Sequence, residues 1–83
     1  MLTVDVRLIA SELTPGLIGG EYEIEAGASV LDLLRVCETA CGAAIPEKNL
    51  KFMYPLFNGK PVGLDTALTE NGLLHLCRVV LGG

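Results

Sequence analysis

The chain has 83 residues, enough for one domain with a modest core and too few for a deep catalytic cleft, which argues against an enzyme acting alone. Apolar residues make up 51% and charged residues 19%, the balance of a globule and not of a disordered chain. The net charge is −4, and eight of the ten acids lie in the first 47 residues; such a surface suits a basic protein partner and not nucleic acid, whose binding needs clustered Lys and Arg. No run approaches the roughly 20 apolar residues of a membrane helix, and Asp5 and Arg7 interrupt any signal-peptide pattern. The expected location is cytoplasmic and away from membranes, with three cysteines that form no C-x-x-C pair kept as reduced thiols.

In chain order, Leu2 to Ile9 alternates, with Leu2, Val4, Val6 and Leu8 on one face and Thr3, Asp5 and Arg7 on the other, the pattern of a half-buried strand. Thr14-Pro15-Gly16 and Gly19-Gly20 supply turns, and Tyr22-Glu23-Ile24-Glu25 alternates again as the returning arm of a hairpin. Ser29 stands three residues before Asp32, a relative of the capping box, and Val30, Leu33, Leu34, Cys37 and Cys41 then recur at helical spacing. This predicts a helix from about Ser29 to Cys41 or a little beyond, closed by Gly42 and Pro46, with Asp32, Arg35, Glu38 and Thr39 outward and Asp32 and Arg35 at i, i+3. Pro46 to Asn49 reads as a loop and Leu50 to Phe57 as a strand that Pro55 demotes to an edge or a bulge. Asn58-Gly59 is a tight-turn dipeptide leading into Lys60-Pro61-Val62. Leu64 to Leu68 fits a single turn with two leucines inward, Asn71-Gly72 another turn, and Leu73 to Leu81 a last strand.

This order predicts an α+β domain over residues 1–81: a mixed sheet of four to five strands with one helix across one face, the order of a β-grasp. The first and last strands would lie parallel in its middle, which demands a crossover that the helix supplies. Residues 82–83 form a Gly-Gly tail, whose lack of Cβ atoms suits a narrow channel and leaves the Gly83 carboxylate unhindered. A frayed terminus is the ordinary alternative for such a pair.

Asn58-Gly59-Lys60-Pro61-Val62, Leu64-Asp65-Thr66-Ala67-Leu68 and Gly82-Gly83, taken in that order, resemble the ubiquitin-like sulfur-carrier family of ThiS and MoaD. Val4 to Leu8 is similar to that family's first strand, and Gly27-Ala28-Ser29-Val30-Leu31-Asp32-Leu33-Leu34 to the start of its helix. The stretch from about Glu38 to Met53 carries no likeness, Glu70-Asn71-Gly72 stands in place of a D-G-D turn, and the last strand lacks the family's proline-containing exit. The resemblance implies a carrier, not an enzyme: an adenylating enzyme of the ThiF/MoeB type consumes ATP to activate the Gly83 carboxylate, which becomes a sulfur-donating thiocarboxylate, with Gly82 providing reach. It further implies a recipient, the large subunit of molybdopterin synthase in the molybdenum-cofactor branch or thiazole synthase in the thiamin branch. Length favours the former. A ubiquitin-like modifier or plain interaction module is the reading from another class.

If Leu74, Leu76 and Val80 face the core, the period of two sends Leu73, His75, Cys77 and Val79 to a face without a helix. An apolar patch there marks a partner-binding surface or, equally, a second packing layer or a self-association surface. Leu81 and Leu56 complete the partner-binding set, with the side taken by Leu56 and Phe57 left open by Pro55. His75 and Cys77 share a face but are two ligands where a closed zinc site takes four, and three cysteines cannot hold a two-iron, two-sulfur cluster, so no metal or bound cofactor is expected. Cys37 and Cys41, on the helix stripe, fit burial as small hydrophobes. Lys48, Lys51 and Lys60 stand apart from the acidic half, available to carboxylates on a partner but more often simply solvated.

Overall fold

The computed structural model describes residues 1–80; the expectations for Leu81, Gly82 and Gly83, and with them the boundary between residues 1–81 and 82–83, lie outside the described residues. Strand β1 (Leu2–Leu8) runs as its alternation predicts, with Val4 and Val6 fully buried. It pairs antiparallel with β2 (Gly20–Ile24), from Leu2 opposite Ile24 to Val6 opposite Gly20. The connection holds a 3₁₀ turn, Ser11–Leu13, that buries Leu13 over one end of the core.

Helix α1 (Val30–Cys41) starts at Ser29, where a full capping box forms: Asp32 N–H donates to Ser29 Oγ at 3.1 Å and Ser29 N–H to Asp32 Oδ2 at 2.9 Å. The next open donors of its first turn are met by a distant segment, Val30 N–H donating to the Thr66 carbonyl at 3.1 Å and Leu31 N–H to the Leu64 carbonyl at 2.8 Å. Leu64 to Leu68 is therefore an extended cap on the helix, with Ala67 bridged to Ser29 and Leu68 buried, in place of the expected single turn. Gly42 closes the helix at φ 65°, a left-handed position that glycine occupies without steric cost.

Asp32 is held by the cap, so Arg35 turns to Glu38 at 2.9 Å and Glu47 at 3.7 Å. Glu38 also accepts from Ile45 N–H at 2.6 Å, tying the loop after the helix down; Arg35 first and this N–H second hold its carboxyl below the usual range. Cys37 is fully buried, and desolvation pushes its thiol up to about 12. Cys41 is half-buried in a closed ring of hydrogen bonds. Ile18 N–H donates to its sulfur at 3.3 Å, and the Tyr22 hydroxyl donates to the Ile18 carbonyl. That leaves the Cys41 thiol as donor to the Tyr22 oxygen, 3.3 Å away.

The predicted strand Leu50–Phe57 divides. Glu47–Phe52 is 3₁₀ helix, and β3 (Met53–Phe57) begins only where alternation is strict, with Met53, Pro55 and Phe57 inward. Leu50 and Phe52 still pack on the core, and Asn49 Nδ2 donates to the Leu13 carbonyl at 3.1 Å, so packing and a side-chain bond fix a turn where local pattern suggested a strand. Asn58 and Gly59, both at positive φ, form the hairpin turn into β4 (Lys60–Pro61). The Pro55 carbonyl accepts from Val62 N–H, so its imide nitrogen also points outward from β5 and costs no bond to that strand.

Strand β5 (Gly72–Arg78) lies parallel to β1 and antiparallel to β3, giving the order β2-β1-β5-β3-β4. Leu74 and Leu76 are buried beneath Val30, Leu33, Leu34 and Cys37. The strand stops short of the expected Leu73–Leu81. Val80 does not face the core; it is 87% exposed, because pairing has ended two residues earlier. Gly72 opens the strand, where a Cβ would lie 2.6 Å from Phe57 Cζ.

Candidate functional site

The register places the predicted interface residues side by side. On the face opposite the helix, Leu73, His75 and Cys77 follow one another along β5, each half-buried. Leu56 of β3 stands opposite His75, and Tyr54, 45% exposed, opposite Cys77. Leu56 thus belongs to the open face, whereas Phe57 turns into the core. On the other side β1 sets Asp5 beside Leu73 and Arg7 beside His75, and Glu21 of β2 stands beside Asp5. Asp5 Oδ2 accepts from Arg7 Nε at 3.2 Å and Nη2 at 2.9 Å, which raises the guanidinium pKa further.

The open face is graded across the strands. Acid and the Asp5–Arg7 pair occupy β2 and β1, while Leu73, His75, Cys77, Leu56 and Tyr54 form a mixed apolar surface on β5 and β3. Among the described residues no helix lies across it, since α1 packs on the other side. Such a surface fits a protein interface with an apolar centre and a charged margin.

Val79, the remaining described member of the predicted set, lies past β5, where its N–H donates to the Phe52 carbonyl at 2.8 Å. That bond is the last anchor of the described chain, and Val80 beyond it projects into solvent. Around this root Phe52, Tyr54, Val79 and Val80 line shallow apolar hollows together with Arg78. The Phe52 ring carries Lys51 Nζ at 5.3 Å and the Arg78 guanidinium at 5.7 Å from its centroid. Phe52, Tyr54 and Arg78 are absent from the sequence-predicted set, whereas Lys51 was among the three lysines set apart from the acidic half; the meeting of Phe52, Lys51 and Arg78 depends on the 3₁₀ turn.

Solved structures share this architecture across nearly the whole chain. A protein assigned as molybdopterin converting factor, subunit 1, from Pyrococcus furiosus superposes with a TM-score of 0.65 at 20% identity, over 96% of this chain and 100% of its own. Small archaeal modifier protein 1 of Haloferax volcanii gives a TM-score of 0.67 at 18% identity, again over 96% and 100%. The fold is the β-grasp of ubiquitin-like proteins. No protein-family model matches the sequence, and no curated protein matches it significantly. The β-grasp neighbours are consistent with the ThiS/MoaD resemblance carried by the turn, cap and tail motifs. In this chain the Asn58-Gly59 hairpin, the Leu64–Leu68 cap and the parallel β1–β5 pair are joints of the fold.

Proposed function

We propose that this chain is a ubiquitin-like sulfur carrier whose Gly83 carboxylate is adenylated by an activating enzyme at the expense of ATP and converted to a thiocarboxylate. The observation that carries this reading is the root of the tail. A central strand is held on both sides as far as Leu76 and by β3 to Arg78, the chain is anchored once more at Val79, and Val80 beyond it is exposed. Rigid delivery matters because a partner that captures the globule then finds the carboxylate within a limited volume: the four residues from Val80 to Gly83 span at most about 14 Å extended. Glycines at 82 and 83 let the backbone pass where a side chain would not. In this reading Leu73, His75, Cys77, Val79, Leu81 and Leu56 are the docking surface, and no residue of the chain performs chemistry on the carboxylate.

The recipient we propose is the large subunit of a molybdopterin synthase, in keeping with the Pyrococcus furiosus neighbour; thiazole synthase is the alternative in the thiamin branch. The modifier neighbour from Haloferax volcanii favours a second reading, in which Gly83 is joined to an amine of a target protein. Intact-mass measurement after incubation with ATP, a sulfur source and an adenylating enzyme of the ThiF/MoeB type separates them. A sulfur-for-oxygen gain in the full chain, absent when Gly83 is deleted, is the expected result. Conjugates to protein lysines without any thiocarboxylate would replace the carrier reading with the modifier one.

A further inference from the structure

Whole-chain charge favours a basic partner, yet the cations are not evenly spread. Arg7 is held by Asp5, and Arg35 by Glu38 and Glu47. Lys48, Lys51, Lys60 and Arg78 enter no ion pair among the described residues. Three of these four gather at the end of the sheet where the chain is released: Arg78 ends β5 opposite Met53, and Lys48 and Lys51 sit at i, i+3 in the preceding 3₁₀ helix, which puts them on one side. At the other end of β5 stand Asp5 beside Leu73, Glu21 beside Asp5, and Glu70, which accepts from Asn58 Nδ2 at 3.3 Å. The two ends are separated by about 17 Å of strand. An acidic molecule thus carries most of its unpaired positive charge at the root of its tail, with Lys60 the exception among the described residues.

Resting on the carrier reading above, we propose that Lys51 and Arg78, stacked over Phe52, form a docking collar for an acidic lip around the tail channel of the activating enzyme. The chemistry is complementary in two ways. Carboxylates meet the two exposed ammonium and guanidinium groups, and an apolar side chain of the partner fills the hollow between Phe52, Val79 and Val80. Because Asp5, Glu21 and Glu70 stand at the opposite end, an acidic lip is disfavoured there, so the same charges that bind also turn the tail toward the channel.

The test measures ATP–pyrophosphate exchange by an adenylating enzyme of the ThiF/MoeB type from the same genome, with the full chain and three charge reversals: Lys51→Glu, Arg78→Glu and Lys60→Glu. Lys60 is equally exposed but lies opposite Phe57, at the far end of β3, and serves as the charge-matched control. Thermal melting of each variant confirms folding, and Lys51→Gln with Arg78→Gln provides a milder pair. The expected result is a loss of at least about tenfold in kcat/KM for Lys51→Glu combined with Arg78→Glu, a flatter dependence on salt, and no change for Lys60→Glu. Exchange by the wild-type chain with Lys51→Glu and Arg78→Glu as active as Lys60→Glu would overturn the collar and leave the carrier reading intact. Absence of exchange by the wild-type chain would overturn both. Concentration-dependent self-association that Arg78→Glu abolishes would instead give the collar to a second copy of the chain.

Discussion

The two faces of the sheet use the same strands and differ in what lies over them. On the helix side Val4, Val6, Leu74 and Leu76 are 2% exposed or less, while on the open side their immediate neighbours Asp5, Leu73, His75 and Cys77 stay half-accessible. Leucines at 73 and 74 are adjacent in sequence and belong to different problems. One stabilises the globule, the other remains available to something outside it. A single helix covers one face of the sheet, and on the other face apolar side chains have no covering element among the described residues.

Leu74→Ala tests the contrast most strongly. It should cost about 2–5 kcal/mol, since it empties a fully buried site, whereas Leu73→Ala should cost about 1 kcal/mol or less; urea denaturation of both variants measures the difference. Equal losses would mean that the open face is a second core.

The covered side should also show itself in alkaline solution. Because burial raises the Cys37 thiol above its unfolded value, its contribution is fully present below the unfolded pKa and is lost as pH rises toward about 12. Cys37 should then lower stability by up to about 1.4 kcal/mol per pH unit above roughly pH 9, a contribution that Cys37→Ala removes, leaving the part due to Tyr22, whose hydroxyl is also raised to about 12. Chemical denaturation at stepped pH reads it directly. At the acid limb the sign reverses for Glu38. Its depressed pKa stabilises the fold above the unfolded carboxylate value, and that contribution disappears as pH falls; Glu38→Gln should flatten this limb.

A smaller effect is expected from the helix start, where Ser29→Ala should cost about 1 kcal/mol by opening one half of the capping box. Its neighbours at Val30 and Leu31 remain capped by Thr66 and Leu64, so helix content should persist by circular dichroism. The smallest change in stability, within about 0.5 kcal/mol, is expected for His75→Ala. That variant should nonetheless weaken activation by the adenylating enzyme if the open face docks it; unaltered kinetics for His75→Ala and Leu73→Ala together would remove this face from the binding surface.

Period and turn chemistry made much of this legible. Strict alternation located β1, the Val30-Leu33-Leu34-Cys37 stripe located α1, and Asn58-Gly59 located the hairpin, because each is a local rule that the core does not override. The open face was legible too, as far as Leu73, His75 and Cys77 follow from the period of two once Leu74 and Leu76 are inside. Its lateral neighbours were not. Opposing Leu56 to His75 and Arg7 to His75 requires the register, which no single strand contains.

Three features depended on contacts made across the chain. Leu50–Phe52 was apolar enough to read as strand, but the Asn49 bond to Leu13 and packing of Leu50 and Phe52 hold it as a 3₁₀ turn, and only that turn carries Lys51 to Phe52 and Arg78. Asp32 and Arg35 were suitably spaced for a pair, yet the cap claims Asp32 and leaves Arg35 to Glu38 and Glu47. Val80 continued the inward period of β5, but the period has meaning only while a neighbouring strand supports it, and pairing ends at Arg78. By itself, then, the sequence determined the elements and the faces, because propensity, capping and side-chain period act over a few residues. The tertiary structure decided where the strand stops, which charges meet and what surrounds the root of the tail, since those depend on groups distant in the chain competing for the same donors and the same buried volume.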